Sequence, residues 1–269
     1  DLNQAQSTNG LKFPTGSVFA GTPEEGMIRN DQSQSSAASS STMQFYNGTA
    51  WKNFVNKVPC TTDNAAYPVT NTAYYKLNNN ANDSSGNGYN GTASNVTYAA
   101  GKFDDAAVFN GTSSKIDTNT AFTSLVGSST SYTISSWIYP TSNSTGRPFG
   151  AENYNDGIGV QTSNGNIRAQ GGNGTWVTTN YYACAINQWH HICLVITTNS
   201  SIKLYVDNVL KETLSLTISF SGAARLFLGA DFHSSTLEGP FTGSIDQVRI
   251  FSSALNAAQV TQLYNEIQC

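Results

Sequence analysis

The stretch Tyr132–Tyr139 has the sequence YTISSWIY and is followed directly by Pro140. Apolar or aromatic side chains occur at both odd-numbered and even-numbered positions, which is typical of a strand covered on both faces. Proline has no N–H to give to a β-ladder, so Pro140 is expected to end the strand. The stretch therefore predicts a strand inside a β-structure of two layers.

Short strand patterns separated by turn signals extend on both sides of this stretch. The tight-turn pair Asp207-Asn208 lies between two apolar runs, Ile202–Val206 and Val209–Thr213. Further strand patterns cover Ala73–Leu77, Ala107–Phe109, Lys115–Asp117, Gly157–Thr162, Asn166–Gln170, Thr175–Ala183, Trp189–Thr197, Arg225–Leu228 and Ser244–Phe251. The second and third of these are expected to be joined through a turn at Asn110-Gly111. Strands at this spacing predict an all-β fold, a two-sheet antiparallel jelly-roll sandwich.

Only the end of the chain has the pattern of a helix. In Asn256–Ile267 the apolar residues fall at i, i+3, i+4 and i+7, and Asn256 with Gln259 forms the pattern of a capping box. We expect one C-terminal helix that covers an edge or an end of the sandwich.

The composition excludes several classes of protein. Charged residues make up 11% of the 269 residues, with 13 Lys+Arg against 17 Asp+Glu and a net charge of −4. An acidic chain with so few cations is not a nucleic-acid binder that works through a basic groove. The longest apolar runs are well short of the roughly 20 residues of a membrane-spanning helix, so no membrane insertion is expected. The chain opens at Asp1 without a signal-peptide pattern, as a processed protein would.

The chain is expected to divide into three parts. Residues 1–58 form an N-terminal β-hairpin assembly module, 59–72 a linker, and 73–269 the jelly-roll domain. Asn47-Gly48 is a strong hairpin signal inside the first part. Residues 1–55 are too few to close a core, so they are expected to pack against another unit or a second copy of the chain.

Four cysteines, at positions 60, 184, 193 and 269, allow three disulfide pairings. Their even number and the lack of a CxxC or Cys/His cluster favour disulfides, and with them an extracellular, cell-surface or virion-surface location. We expect Cys184–Cys193, on either side of a turn near Asn187, and Cys60–Cys269, which would join the two ends of the jelly-roll domain.

Three stretches resemble the laminin-G-like, concanavalin-A-type jelly-roll superfamily. They are Tyr75–Leu77 with Asp83–Gly88, Gln188–Ile192 with Leu204–Asp207, and Phe241–Ile250 with Ala254-Leu255. The resemblance implies two packed antiparallel sheets and a role in glycan binding or adhesion. Separately, Gly21–Asn30 and Gln44–Trp51 resemble a short module of phage tail-fibre and bacterial surface proteins. That likeness implies contacts between subunits.

Catalysis is not expected. Polysaccharide hydrolases of the same superfamily carry a Glu-x-Asp-x-x-Glu strand, and retaining hydrolysis needs two carboxyl groups about 5 Å apart. None of the six glutamates lies two residues from an aspartate on a predicted strand. The adjacent His190 and His191 point to opposite faces of a strand, so they are not expected to share a metal ion. One ring is expected to pack beside Trp189 and the other to lie at the surface.

Two kinds of binding site are predicted. The resemblance implies a structural calcium held by Asp83 and Asp246, since Ca²⁺ prefers hard oxygen ligands; the alternative is that Asp83 caps a turn. Glycan binding needs exposed aromatic rings beside hydrogen-bonding side chains. The candidates are Tyr154, Trp176, Tyr181 and Tyr182, each with packing as its alternative role. N-glycosylation is possible in principle at eight sequons: Asn47, Asn82, Asn90, Asn95, Asn110, Asn143, Asn173 and Asn199.

The sequence thus favours a non-enzymatic structural subunit of an extracellular fibre or filament that carries a lectin-like jelly roll. Its expected partners are copies of itself, through residues 1–55, and glycans. The first alternative is a viral (phage) tail-fibre or receptor-binding protein that recognises host glycans. The second is a secreted polysaccharide-active enzyme. Open polymers use non-closing contacts whereas viral fibres are usually closed trimers, and the chain has no heptad stretch for a trimeric stalk.

Overall fold

A computed structural model describes the fold of most of the chain. The described residues are 28–31, 42–46, 49, 51–53, 71–127, 129–153, 156–197, 200–218, 220, 224–233 and 236–266. The chain divides into two compact units, Asp1–Thr61 with Cys269 and Thr62–Gln268.

The described part of the smaller unit is a three-stranded antiparallel sheet. Its strands are β1 (Ile28–Asp31), β2 (Thr42–Tyr46) and β3 (Trp51–Asn53), and β2 lies in the middle. Tyr46 pairs with Trp51, so the hairpin predicted around Asn47-Gly48 is confirmed.

The larger unit is a sandwich of two antiparallel sheets. We call sheet I the one that contains β4 (Ala73–Tyr75), β6 (Thr97–Ala100), β7 (Asp105–Asn110), β9 (Ser131–Pro140), β15 (His190–Thr197), β16 (Ser201–Val206), β17 (Val209–Ser215) and β21 (Thr242–Phe251). Its order is β17-β16-β15-β9-β21-β7-β6, with β4 also paired to β21.

Sheet II contains β5 (Thr92–Ser94), β8 (Lys115–Ala121), β10 (Phe149–Asn153), β11 (Asp156–Ser163), β12 (Asn166–Gly172), β13 (Trp176–Thr178), β14 (Tyr182–Ala183) and β18 (Arg225–Leu228). Its order is β13-β12-β11-β10-β18-β8-β5, with β14 paired to β12. A separate hairpin joins β19 (Asp231–His233) to β20 (Thr236–Glu238). The predicted all-β jelly-roll sandwich is confirmed.

The main core lies between the two sheets. Sheet I contributes Ile134, Ile138 and Leu194, and sheet II contributes Ile158 and Ile167, all fully buried. These residues occupy alternate positions along their strands because successive side chains point to opposite faces.

A second apolar cluster lies on the outer face of sheet I, where the helix α2 (Ala257–Tyr264) packs. It consists of Cys193, Val195, Tyr205, Phe251, Leu255, Val260 and Leu263. Strand β9 therefore has buried residues on both faces, which explains its apolar pattern. Asn256 and Gln259 form the predicted capping box, and the helix ends at Tyr264, three residues before the predicted end.

Three local features differ from the prediction. The short helix α1 (Phe122–Val126) was not predicted, because five residues are too few to show a helical period. The turn at Asn110-Gly111 is present, but it connects β7 of sheet I to β8 of sheet II and closes no hairpin. The predicted strand Thr175–Ala183 is divided into β13 and β14, and between them the Thr179 hydroxyl accepts a hydrogen bond from the backbone N–H of Ala169 (3.0 Å).

The predicted disulfide between Cys184 and Cys193 is wrong, because both residues are buried free thiols. Cys184 belongs to the main core, whereas Cys193 faces the outer cluster beneath α2, on the other side of sheet I. A turn does precede β15, but the two side chains point into different cores. The predicted Cys60–Cys269 bridge lies outside the described residues.

Candidate functional site

An aromatic ring held by two polar side chains stands on the outer face of sheet II. We call Tyr181, Arg168 and Gln161 the Tyr181 cluster. Gln161 on β11 lies directly opposite Arg168 on β12. Their neighbours Val160 and Ile167 are buried in the core, so Gln161 and Arg168 point outward.

The cluster is rigidly connected. The guanidinium carbon of Arg168 lies 4.8 Å from the centroid of the Tyr181 ring. Arg168 Nε and the Tyr181 hydroxyl both donate to Gln161 Oε1, each at 2.9 Å. The Tyr181 side chain is nevertheless 44% exposed. The arrangement fixes the orientation of an accessible aromatic ring, which is what a stacking ligand requires.

Trp176 lies on the same face at a different position. It pairs with Gly172 on β12, four residues from Arg168, or roughly 13 Å along the strand. Gln170, which lies between these two positions, is buried. Trp176 itself is half-buried, so Trp176 and the Tyr181 cluster are two separate positions on sheet II.

The other two aromatic candidates are not brought into this cluster. Tyr182 lies opposite Ile167 and packs against the main core. Its hydroxyl donates to Glu212 Oε2 at 2.8 Å, and this hydrogen bond raises the pKa of Tyr182. Tyr182 therefore has the packing role that was its alternative. Tyr154 lies outside the described residues.

Sequence reasoning did not single out Arg168 or Gln161. The signal was present in the predicted hairpin Gly157–Thr162 and Asn166–Gln170, whose alternation places both residues outward. What the sequence does not show is that Tyr181, which follows the next strand β13, packs against Arg168 and Gln161.

Asp83 has a structural role that leaves little room for a cation. Its Oδ1 accepts the backbone N–H groups of Tyr74 and Ser85, both at 2.9 Å. Its Oδ2 accepts the Ser85 hydroxyl (2.8 Å) and the backbone N–H of Tyr89 (3.0 Å). These four donors fill the roughly four lone-pair positions of a carboxylate. The arrangement favours the turn-capping alternative.

Asp246 is buried in a different environment. Its Oδ2 accepts the backbone N–H of Phe103 at 2.9 Å, and its buried Oδ1 has no hydrogen-bond partner. Burial raises the pKa of Asp246 to about 7. In the described part of the chain, no three His, Cys, Asp or Glu side chains come together in a way that could hold a metal ion. Calcium binding by Asp83 and Asp246 stays a prediction that titration can test.

The surface position predicted for one histidine is wrong, since His190 and His191 are both buried. His190 Nδ1 bonds to Asp207 Oδ2 at 2.7 Å and its Nε2 to the carbonyl of Ala185 at 3.1 Å. His191 Nε2 bonds to the Ser135 hydroxyl at 2.8 Å, and its ring packs against Trp137, not Trp189. Because both faces of β15 are covered, both rings are largely shielded from solvent.

Most carboxylates of the described residues have structural partners. Arginine pairs with Asp117, Asp231 and Glu266, and Glu212 accepts hydrogen bonds from Asn180 and Tyr182.

Six of the eight sequon asparagines are exposed: Asn82, Asn90, Asn95, Asn110, Asn143 and Asn173. Asn47 and Asn199 lie outside the described residues. Asn110 Oδ1 accepts three backbone N–H groups of its own turn, so this side chain already has a structural role.

Comparison with known proteins agrees with the fold. The family model described as the concanavalin A-like lectin/glucanases superfamily, of the laminin G type, matches residues 110–261. No curated protein sequence gives a significant match. No helix in the described ranges has the length and apolar character needed to span a membrane.

Three solved structures illustrate the likeness. Domain 4 of AbnA, an extracellular arabinanase of family GH43 from Geobacillus stearothermophilus in complex with arabinotriose, is 31% identical with a TM-score of 0.60. The match covers 73% of this chain and 98% of that domain. The receptor binding domain of botulinum neurotoxin C/D mosaic serotype (16% identity, TM-score 0.59) is matched over 72% of this chain and 51% of that one. The binding domain of Paraclostridial Mosquitocidal Protein 1 (18%, 0.58) is matched over 68% and 49%. The chain thus spans about half of the two toxin domains, whose likeness concerns the fold alone.

Proposed function

We propose, because the chain belongs to the concanavalin A-like lectin/glucanases superfamily, that its larger unit is a non-catalytic oligosaccharide-binding domain of an extracellular adhesion protein. The observation that carries this proposal is the exposed, oriented ring of Tyr181. Carbohydrate sites combine such rings with a few fixed polar groups, and Gln161 and Arg168 supply those groups here.

The similarity to an arabinotriose-bound domain supports the same function. That domain is matched over almost its whole length at 31% identity, so the comparison concerns a complete binding module and not a fragment. It comes from an arabinan-degrading enzyme, in which it stands as a domain of its own. Arabino-oligosaccharides are therefore the first neutral ligands to test.

A panel of neutral oligosaccharides that includes arabinotriose tests the proposal by isothermal titration calorimetry. Replacement of Tyr181 by Ala removes the stacking ring and should weaken binding about three- to tenfold. Leu210→Ala is the matched control, because Leu210 is 46% exposed on β17 of the other sheet. Equal losses in both variants, or no binding to any sugar, would refute the proposal.

The lack of catalysis is part of the proposal. It is supported by the absence of the Glu-x-Asp-x-x-Glu pattern and by the structural partners that occupy the described carboxylates. Incubation with β-glucans, agars, alginates and arabinan should release no reducing ends above a buffer control. Sustained release that disappears when one Asp or Glu is replaced would show an enzyme instead.

A second proposed function is assembly into a fibre or filament through residues 1–55. The supporting observation is that β1 and β3 are the outer strands of a three-stranded sheet in a unit of its own. The outer edges of such strands carry backbone groups that a strand of another copy can pair with.

Light scattering of the full chain beside residues 56–269 tests this function. Assembly of the full chain and loss of assembly in the truncated protein are expected. Polymerisation of the truncated protein to the same extent would exclude residues 1–55 as the assembly element. Negative-stain imaging separates the alternatives, since a virion fibre should be a closed trimer and a cellular filament an open polymer.

A further inference from the structure

Among the residues that the structure describes, no acidic neighbour neutralises the charge on Arg168. The other three arginines with described side chains each pair with a carboxylate: Arg147 with Asp231, Arg225 with Asp117, and Arg249 with Glu266. Arg168 instead contacts the Tyr181 ring and Gln161 Oε1, both of which are uncharged. No carboxylate among the described residues lies within ion-pair distance of its guanidinium.

The guanidinium is also held in one orientation. The Tyr181 ring fixes its plane, and the hydrogen bond from Nε to Gln161 uses the donor on its inner edge. The N–H groups of Nη1 and Nη2 remain as a planar fork at the outer end. Such a fork matches the two oxygens of a carboxylate, and its geometry is fixed before a ligand arrives.

One acidic side chain, that of Glu212 on β17 of sheet I, contacts the residues next to Tyr181. Glu212 accepts hydrogen bonds from Asn180 and Tyr182, the residues on either side of Tyr181. Tyr182 packs against the main core, whereas Tyr181 points outward. The Glu212 carboxylate therefore does not neutralise Arg168.

We propose that Arg168 makes this site selective for acidic glycans, binding the carboxylate of a uronic-acid-type sugar whose ring stacks on Tyr181. This inference rests on the proposed oligosaccharide-binding function and adds the class of sugar to it. The chain has a net charge of −4, so its overall charge does not attract anions. An anion would therefore bind at a local positive group, and the unpaired guanidinium of Arg168 beside the exposed Tyr181 ring is such a group.

Matched ligands test the charge preference by calorimetry at low salt. Trigalacturonic acid and its fully methyl-esterified form have the same sugar rings, but the ester carries methyl groups in place of the charges. The wild-type chain should bind the acid about tenfold more tightly than the ester, because a charge-assisted bidentate contact at a partly exposed site has about this effect. In Arg168→Gln the two affinities should become equal, and in Arg168→Lys part of the preference should remain.

Further ligands distinguish a failure of this inference from a failure of the oligosaccharide-binding function on which it rests. A sulfated trisaccharide that binds as tightly as the acid would show a general anion site and would overturn the carboxylate assignment. Equal binding of acid and ester by the wild type, or a preference unchanged in Arg168→Gln, would overturn the inference. Binding of arabinotriose in that case would leave the oligosaccharide-binding function intact, whereas binding of no sugar would refute both. Thermal unfolding of each variant checks that the fold is retained.

Discussion

Arg249 and Glu266 form a buried ion pair that joins strand β21 of sheet I to the chain just after helix α2. The Arg249 Nη1 atom lies 2.6 Å from Glu266 Oε2, and the two side chains are only 1% and 4% exposed. The Tyr74 ring covers the guanidinium, whose carbon lies 4.1 Å from the ring centroid. The pair holds the segment after α2 against the outer face of sheet I.

Replacement of Glu266 by Gln should reduce the free energy of unfolding by about 3 kcal/mol, because it leaves the Arg249 charge buried without its counter-charge. Asp117→Asn is the matched control. Its partner Arg225 is 40% exposed, so this ion pair should contribute less than about 1 kcal/mol. Urea denaturation measures both values. Equal losses would show that burial does not distinguish the two pairs.

Asp246 should make stability depend on pH. Its pKa is raised to about 7 by burial, above the ordinary value of 3.8, so the folded chain retains a proton that the unfolded chain has lost. The stabilising contribution is complete below pH 3.8 and disappears as the pH rises through about 7, a change of at most about 4 kcal/mol.

The difference in stability between the wild type and Asp246→Asn, measured from pH 4 to 8, isolates this effect. It should change steadily in favour of the variant as the pH rises. Burial lowers the pKa of His191 to about 3, so its own contribution is full above pH 6.5 and is lost as the pH falls toward 3. The wild type and Asp246→Asn share this opposite trend, so it cancels in the difference between their free energies of unfolding.

Cys184 and Cys193 should not react with iodoacetamide in the native state. Burial raises the pKa of the Cys184 thiol to about 12 and also raises that of Cys193, so almost no thiolate is present. Both should be alkylated in denaturant without a reductant. After cleavage of the chain at Trp189, two peptides joined through Cys184 and Cys193 in a non-reducing map would contradict the structure. The same map tests the predicted Cys60–Cys269 bridge.

Asp83→Ala should destabilise the larger unit by about 2 kcal/mol in EDTA, because four donors lose their acceptor. Ser94→Ala, on β5, is a control without this role. If Asp83 only caps its turn, the melting temperature of the wild type should be the same in calcium and in EDTA. A rise with free calcium that is lost in Asp83→Ala would instead establish the ion.

The fold could be predicted from local patterns to a large extent. The hairpin at Asp207-Asn208 is present, with both turn residues at positive φ (50° and 64°), and Pro140 is the last residue of β9. These features depend on residues close in sequence. The sheet to which a strand belongs does not, and so the turn at Asn110-Gly111 did not reveal that β7 and β8 lie in different sheets.

The candidate site could be predicted only in part for the same reason. Tyr181 was identified as an exposed aromatic residue, but its partner Gln161 is twenty residues away on another strand. The roles of Asp83 and Cys193 depend on which backbone groups and which core each side chain meets. Such contacts follow from the packing of distant strands and not from the spacing of residue types.

The position of β21 has a consequence for biosynthesis. This strand lies between β9 and β7 and also pairs with β4, yet it begins at Thr242, after all the other strands of the larger unit. A nascent polypeptide that has emerged from the ribosome only as far as β20 must therefore keep β9 and β7 with unsatisfied backbone edges. Folding of the larger unit should therefore wait until β21 has been made, and ribosome-bound chains that end before β21 should need protection from aggregation.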